Sequence, residues 1–265
     1  MLTAIQSHVA KLLAANRRQG NYFAGGAVLN QQTWRLSDDL DIFTNADEEI
    51  PDIVKADLAS LDAAGFDVRI DLEVYGCTEA TVRNGSDKTL IQWMSETKDR
   101  FYPLQDDPDW GLRLHMTDLA VNKVLAASTR RKSRDLVDLV LIAENYCELG
   151  PLFMAASIKI GNMSPLALLE RARQHLVSTP VDDLDTTRGI PEGMRGADLK
   201  TLAMAALDCA EVFLGDAPVE WMAGLPVDAE GRPVTDPADV FDLRMLSAEG
   251  GRFPEFPDVS PDFGG

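Results

Sequence analysis

Two carboxylates at alternate positions in an apolar run, shortly after a glycine pair, constrain this chain more than any other feature. The stretch reads Gly25-Gly26, then Arg35-Leu36-Ser37-Asp38-Asp39-Leu40-Asp41-Ile42-Phe43. In a strand, residues two apart point to the same side. Asp39 and Asp41 then present anionic oxygens to one point in space. Leu40, Ile42 and Phe43 are apolar enough for the strand to lie in a core. Carboxylates at the edge of a core suit a hard cation, Mg²⁺ first and Mn²⁺ as a substitute, often shared with substrate phosphates. The glycines let a backbone approach those phosphates. Ser37 shares the face of Asp39 and is placed to hydrogen-bond a phosphate oxygen.

Length and composition bound the rest. At 265 residues the chain can bury a sizeable core and hold one or two domains. No run of eighteen apolar residues occurs, so no transmembrane helix and no membrane partner are expected. The N-terminal stretch lacks the basic-then-apolar order of a signal peptide. Cys77, Cys147 and Cys209 are scattered and without metal-ligand spacing, which reads as reduced, buried thiols in a cytoplasm. The net charge of −18 repels nucleic acid at long range. A nucleic-acid substrate would need a local basic patch, and the densest is Arg130-Arg131-Lys132-Ser133-Arg134. The same run reads equally well as a solvated connection between helices.

Periodicity divides the chain into an α+β front half and a helical back half, with the boundary near residue 115. Apolar positions Leu2, Ile5, Val9, Leu12 and Leu13 predict a helix over 2–18, ended by Gly20-Asn21. Strand signals follow at 22–24, 39–44, 66–75, 80–83 and 89–94, with helices over 27–32 and 52–64. Asn84-Gly85 favours a hairpin turn. Pro, Asp and Gly make 103–111 a loop. Helices are expected over 117–128, 134–148, 151–160, 165–177 and 195–214. Ser133 is the expected N-cap of the second. Ser164-Pro165 is an N-cap with proline at the first helical position, and 179–193 is a polar loop. The resulting domains are 1–115 (α+β), 116–215 (helical) and 216–265 (an irregular Pro/Gly-rich arm). The spaced aromatics from Phe253 onward favour docking of that arm on the body.

The pattern Gly25-Gly26 … Arg35-x-Ser37-x-Asp39-Leu-Asp41 resembles the nucleotidyltransferase superfamily with a polymerase-β-like fold. Asp118-Leu-Ala-Val-Asn-Lys123, followed by Arg134-Asp135-Leu-Val-Asp138, is similar to the AbiEii/AbiGii toxin family within it. These motifs cover roughly residues 22–145. The resemblance implies a mixed-sheet catalytic domain followed by helices, and a Mg²⁺-dependent transfer of a nucleotidyl group from an NTP. It implies Asp39 and Asp41 as metal ligands, and Gly25, Gly26, Arg35, Ser37, Lys123 and Asp135 at the nucleotide. Lys123 and Asp138 join the two metal aspartates in catalysis. A tRNA 3′ end is one acceptor the family offers, with Arg130, Arg131 and Lys132 as its landing site; a protein hydroxyl or a small molecule is the other. A cognate antitoxin is an implied partner. Such chemistry needs in-line geometry and charge neutralisation more than covalent help.

Simpler readings stand beside these. Asp38-Asp39-x-Asp41 also fits an acidic turn, and a lone Lys123 fits a surface lysine. Arg134 and Asp138 have the i,i+4 spacing of a helical ion pair. Many nucleotidyltransferases carry a third carboxylate on a later strand. Here Gln92 stands near where that acid is expected, with Glu96 four residues on and Glu73 on an earlier strand as candidates for the role, or the site works with two acids. A catalytically degenerate nucleotide- or partner-binding protein and an antibiotic-modifying nucleotidyltransferase are the alternatives. No G-x-S-x-G and no Walker loop occurs. His8, His115 and His175 lack paired spacing and read as structural or surface residues.

Overall fold

The computed structural model describes residues 1–238 and 243–249, and the expected aromatic arm from Phe253 onward lies outside them. The chain divides into two units, one made of Met1–Lys98 with Leu104–His115, the other of Asp99–Pro103 with the residues from Met116 onward.

The first unit is a seven-stranded sheet with helices. Its elements are α1 (Ala4–Ala14), β1 (Asn21–Ala24), α2 (Gly25–Leu29), β2 (Asp39–Thr44), α3 (Ile50–Ala63), β3 (Asp67–Val74), β4 (Cys77–Asn84), β5 (Asp87–Ser95), β6 (Gln105–Asp107) and β7 (Gly111–Arg113). The strand order is β3-β4-β5-β2-β1-β7-β6. β2 pairs parallel with β5, and β1 parallel with β7; the other pairs are antiparallel. Leu40 and Ile42 of β2, Ile91 and Trp93 of β5, and Ala80 and Val82 of β4 share one face and are buried. Val9 and Leu13 of α1 and Leu61 of α3 complete this core. β3 is an edge strand, with Ile70, Leu72 and Val74 exposed.

Helix α1 stops at Ala14, well short of Gly20. The polar residues that follow are used elsewhere. Asn16 donates to Asp57 Oδ1 at 2.8 Å, the Arg17 guanidinium pairs with the same carboxylate, and Trp93 Nε1 donates to Asp57 Oδ2 at 2.7 Å. Asp57 is wholly buried on α3, so its charge is met by three donors. Arg17 also lies 5.3 Å from the centre of the Phe23 ring. Burial pulls its pKa below the usual range, and Asp57 opposes that pull.

The 103–111 stretch, expected as a loop, holds β6 and β7. Asp107 makes their hairpin: its Oδ1 accepts the N–H groups of Asp109 and Trp110 at 2.9 and 3.2 Å, and Arg113 Nε reaches its Oδ2 at 2.7 Å. Side-chain turn chemistry of this kind is what Asp favours.

The second unit contains α4 (Met116–Thr129), α5 (Ser133–Asn145), α6 (Leu149–Ile160), α7 (Pro165–Ser178), α8 (Val181–Asp185) and α9 (Gly196–Asp216), then the hairpin of β8 (Leu225–Val227) and β9 (Arg244–Leu246). α4 packs on α5, α6 and α7, and α9 on α5, α6 and α7. Leu119, Val124, Leu139, Phe153, Leu168 and Leu207 form the core. Ser164 caps α7 as expected, its hydroxyl accepting the Ala167 N–H at 3.2 Å. Ser133 is not a cap: it is the first residue of α5, and Lys132 at the cap offers no side-chain acceptor. The 179–193 stretch contains α8 rather than only loop.

Asp118, wholly buried on α4, accepts the backbone N–H groups of Phe101 and Tyr102 at 2.9 and 3.0 Å and so ties that short stretch to the helical unit. The Tyr102 hydroxyl donates to Gly231 O at 2.6 Å, and burial pushes its pKa well up. Cys77, Cys147 and Cys209 are not bonded to one another and are less buried than expected: Cys77 and Cys147 are half-buried and Cys209 is exposed on α9. Among the described residues no single helix is long and apolar enough to cross a membrane.

Candidate active site

In the first unit, β1 runs into α2 at Gly25, and β2 lies antiparallel to β1 with Ala24 opposite Asp41. Gly25 has φ +73°, a left-handed conformation that side chains disfavour. A Cβ there would lie 2.8 Å from Asp41 Cβ and overlap its carboxylate. The glycine therefore supplies both the turn and the room for Asp41. Gly26 follows in the first turn of α2 and is buried.

Asp39 and Asp41 are 6% and 9% exposed and point away from the Leu40–Ile42 core face. Asp39 Oδ1 accepts the Ser37 hydroxyl at 3.3 Å. Ser37 is itself held by Gln6 of α1, whose Nε2 donates to Ser37 O at 3.0 Å. Ser37 thus orients a carboxylate. Arg35 is buried, with one guanidinium N–H donated to Leu36 O at 3.3 Å. Two carboxylates and a hydroxyl at one strand end are hard oxygen donors, the set that fits Mg²⁺ shared with phosphates. Among the described residues no three His, Cys, Asp or Glu side chains gather to hold a metal ion.

The acids offered as third carboxylates lie elsewhere. Glu73 shares its rung with Thr78, Trp93 and Ile42, which belongs to the opposite, core-forming face. Glu96 follows β5 beyond the Thr44–Ser95 rung and accepts from the Tyr22 hydroxyl at 3.4 Å. It lies four positions past Gln92, about 13 Å along an extended chain. Gln92 does stand opposite Asp41, and beyond it on β4 stands Glu79. Sequence reasoning passed over Glu79. The two-residue Gly85-Ser86 turn of the β4–β5 hairpin fixes this pairing and was the available signal.

In the second unit, α4 and α5 bring Lys123, Asp135 and Asp138 together. Lys123 Nζ lies 3.0 Å from Asp138 Oδ2 and 3.5 Å from Asp135 Oδ1. Both carboxylates are wholly buried. The Arg130 guanidinium forms a two-pronged pair with Asp135, Nε to Oδ2 at 2.7 Å and Nη2 to Oδ1 at 3.2 Å. Lys123 and Arg130 thus both face the buried carboxylates of this helix pair. Arg131 donates to Ser178 O at 3.3 Å, and Lys132 is exposed. The basic run is therefore divided: Arg130 is engaged by Asp135, while Arg131 and Lys132 lie on the surface.

Lys159 is the functional-looking residue that pattern reading missed. Its side chain is 5% exposed on α6, and its Nζ donates to Asn122 Oδ1 at 2.7 Å and lies 4.0 Å from Asp118 Oδ1. It fills the polar side of α4 around the Asp118–Lys123 motif. His175 Nδ1 meets Ala127 O at 2.7 Å, a structural use of that ring.

No protein-family model matches the chain, and no curated protein matches it. Solved structures do share its fold. A candidate nucleotidyltransferase from H. pylori is 18% identical, with a TM-score of 0.50 over 78% of this chain and 93% of that one. MenT4, a nucleotidyltransferase toxin from Mycobacterium tuberculosis H37Rv, is 14% identical, with a TM-score of 0.54 over 82% of this chain and 83% of that one. The chain thus has a nucleotidyltransferase fold, a mixed sheet followed by a helical region.

Proposed function

We propose that the protein is a Mg²⁺-dependent nucleotidyltransferase of the toxin-like, AbiEii/AbiGii kind. It would take a nucleoside triphosphate, join the nucleoside monophosphate to an acceptor hydroxyl and release pyrophosphate. The observation that carries this reading is the packing of Gly25 against Asp41. A left-handed glycine at a strand–helix turn leaves room for one of two adjacent carboxylates, in a fold shared with a nucleotidyltransferase toxin. A bound divalent cation supplies charge neutralisation for the triphosphate. Asp39 and Asp41 would hold it, and Ser37 would orient Asp39. Lys123, paired with Asp138 and Asp135 within the helical unit, is the nucleotide-contacting lysine that the family resemblance implies. Arg35 and Gly26 would shape the nucleotide pocket. A tRNA 3′ end is the proposed acceptor, with Arg131 and Lys132 the basic side chains at the surface to receive it, and a cognate antitoxin is a proposed partner.

Incubation with each labelled NTP, Mg²⁺ and total RNA or total protein tests the reading. Label transferred to RNA supports it in full; label on protein keeps the reaction and changes the acceptor. Absence of transfer with every NTP, alongside tight NTP binding, favours the second reading, a nucleotide-binding protein without turnover. Gln92 in place of an acid opposite Asp41 is the observation that favours that alternative.

A further inference from the structure

Asp41, Gln92 and Glu79 occupy one rung across β2, β5 and β4. Side chains at paired positions project to the same face of a sheet. On that face of β5 the neighbours of Gln92 are Leu90 and Met94, so Gln92 is the one polar side chain the strand offers beside the two aspartates. Its Nε2 donates to Glu79 Oε1 at 2.5 Å. A carboxylate only accepts, so the amide group turned toward Glu79 must be the NH₂. The amide oxygen is then the end not turned to Glu79, and Asp41 on β2 flanks Gln92 on the other side of β5.

We propose that Glu79 is a positioning residue that locks the Gln92 amide so that its carbonyl oxygen serves as a neutral third oxygen ligand, beside Asp39 and Asp41, for the divalent cation. This rests on the metal reading of Asp39 and Asp41 made above. Were the amide reversed, two N–H donors would face the cation and repel it. Carbonyl oxygens of Gln are ordinary ligands for hard cations. The arrangement also sets the charge. Two carboxylates and a neutral oxygen carry two negative charges, enough to balance one divalent ion. A third carboxylate on β5 would favour a second ion.

The test is Mn²⁺ binding to the full chain without nucleotide, measured by electron paramagnetic resonance of the free ion, with melting curves on each variant. Asp39→Asn is expected to remove saturable binding; unchanged binding there overturns the underlying metal reading. Gln92→Leu and Glu79→Leu are each expected to weaken Mn²⁺ binding about tenfold, as loss of a ligand or its orienting partner does. Glu79→Gln keeps an acceptor for the Gln92 NH₂ and should bind Mn²⁺ nearly as wild type. Gln92→Glu should tighten binding and add a second equivalent. Wild-type affinity in Gln92→Leu, with binding lost in Asp39→Asn, overturns this proposal and leaves the metal reading standing. Equal losses in Glu79→Gln and Glu79→Leu also overturn it, because Glu79 would then act through its own charge.

Discussion

Lys123 Nζ sits 3.0 Å from Asp138 Oδ2, on a helix pair in which that carboxylate is wholly buried. Removing Lys123 takes a cation away from two wholly buried carboxylates. Lys123→Ala is therefore expected to cost about 3 kcal/mol of stability. The double variant Lys123→Met with Asp138→Leu should recover most of it. Denaturant titration of the two single variants and the double gives the coupling. Additive losses would show that the pair does not stabilise the unit.

Asp39→Asn and Asp41→Asn are each expected to abolish nucleotidyl transfer while the fold persists. Without a cation the two carboxylates repel, so each substitution should leave the melting temperature unchanged or raise it by about 2 °C. Thermal melts and transfer assays on the same preparations decide it. Wild-type transfer in both variants would remove them from the metal site.

Gly25→Ala places a Cβ against the Asp41 carboxylate and forces a non-glycine residue to φ +73°. The backbone part alone costs roughly 1–2 kcal/mol. We expect loss of transfer larger than this destabilisation explains, because Asp41 must move. Mn²⁺ affinity of the variant checks the point, and an unchanged affinity would mean that the turn yields instead of the carboxylate.

If the acceptor is RNA, Arg131→Gln with Lys132→Gln should weaken its binding and leave NTP binding unchanged. Arg130 is kept, because it holds Asp135 and its loss would disturb the helix pair. The log–log salt dependence of RNA binding should become shallower by about 0.7 for each phosphate that is no longer neutralised. A wild-type affinity that ignores salt would exclude this surface.

The turn at Gly25 and the shared face of Asp39 and Asp41 were legible because glycine geometry and strand periodicity are both local. The β4–β5 hairpin was legible for the same reason. The packing of Gly25 against Asp41, by contrast, needed the β1–β2 pairing. What local reasoning missed depended on partners distant along the chain. The early end of α1 follows from Asp57, some forty residues on, which draws Asn16 and Arg17 away from the helix. β6 and β7 are three residues each, too short for a periodicity, and are held by the Asp107 side chain. Lys159 is a single lysine in an apolar helix, and only the packing of α6 on α4 brings it to Asn122. Glu79 needed the hairpin pairing carried one strand further than the motif itself.

The stretch Asp99–Pro103 bears on how the chain is made. It belongs with the helical unit and is tied there by Asp118, yet β6 and β7, which follow it, complete the sheet of the first unit. As the chain leaves the ribosome, β5 emerges well before β7. At about 5–20 residues per second that gap is on the order of a second or more. Through it β1 lacks its parallel neighbour, and Phe101 and Tyr102 wait for the carboxylate that will hold them. The unfinished sheet edge during synthesis is thus β1, beside the strand that carries Asp39 and Asp41.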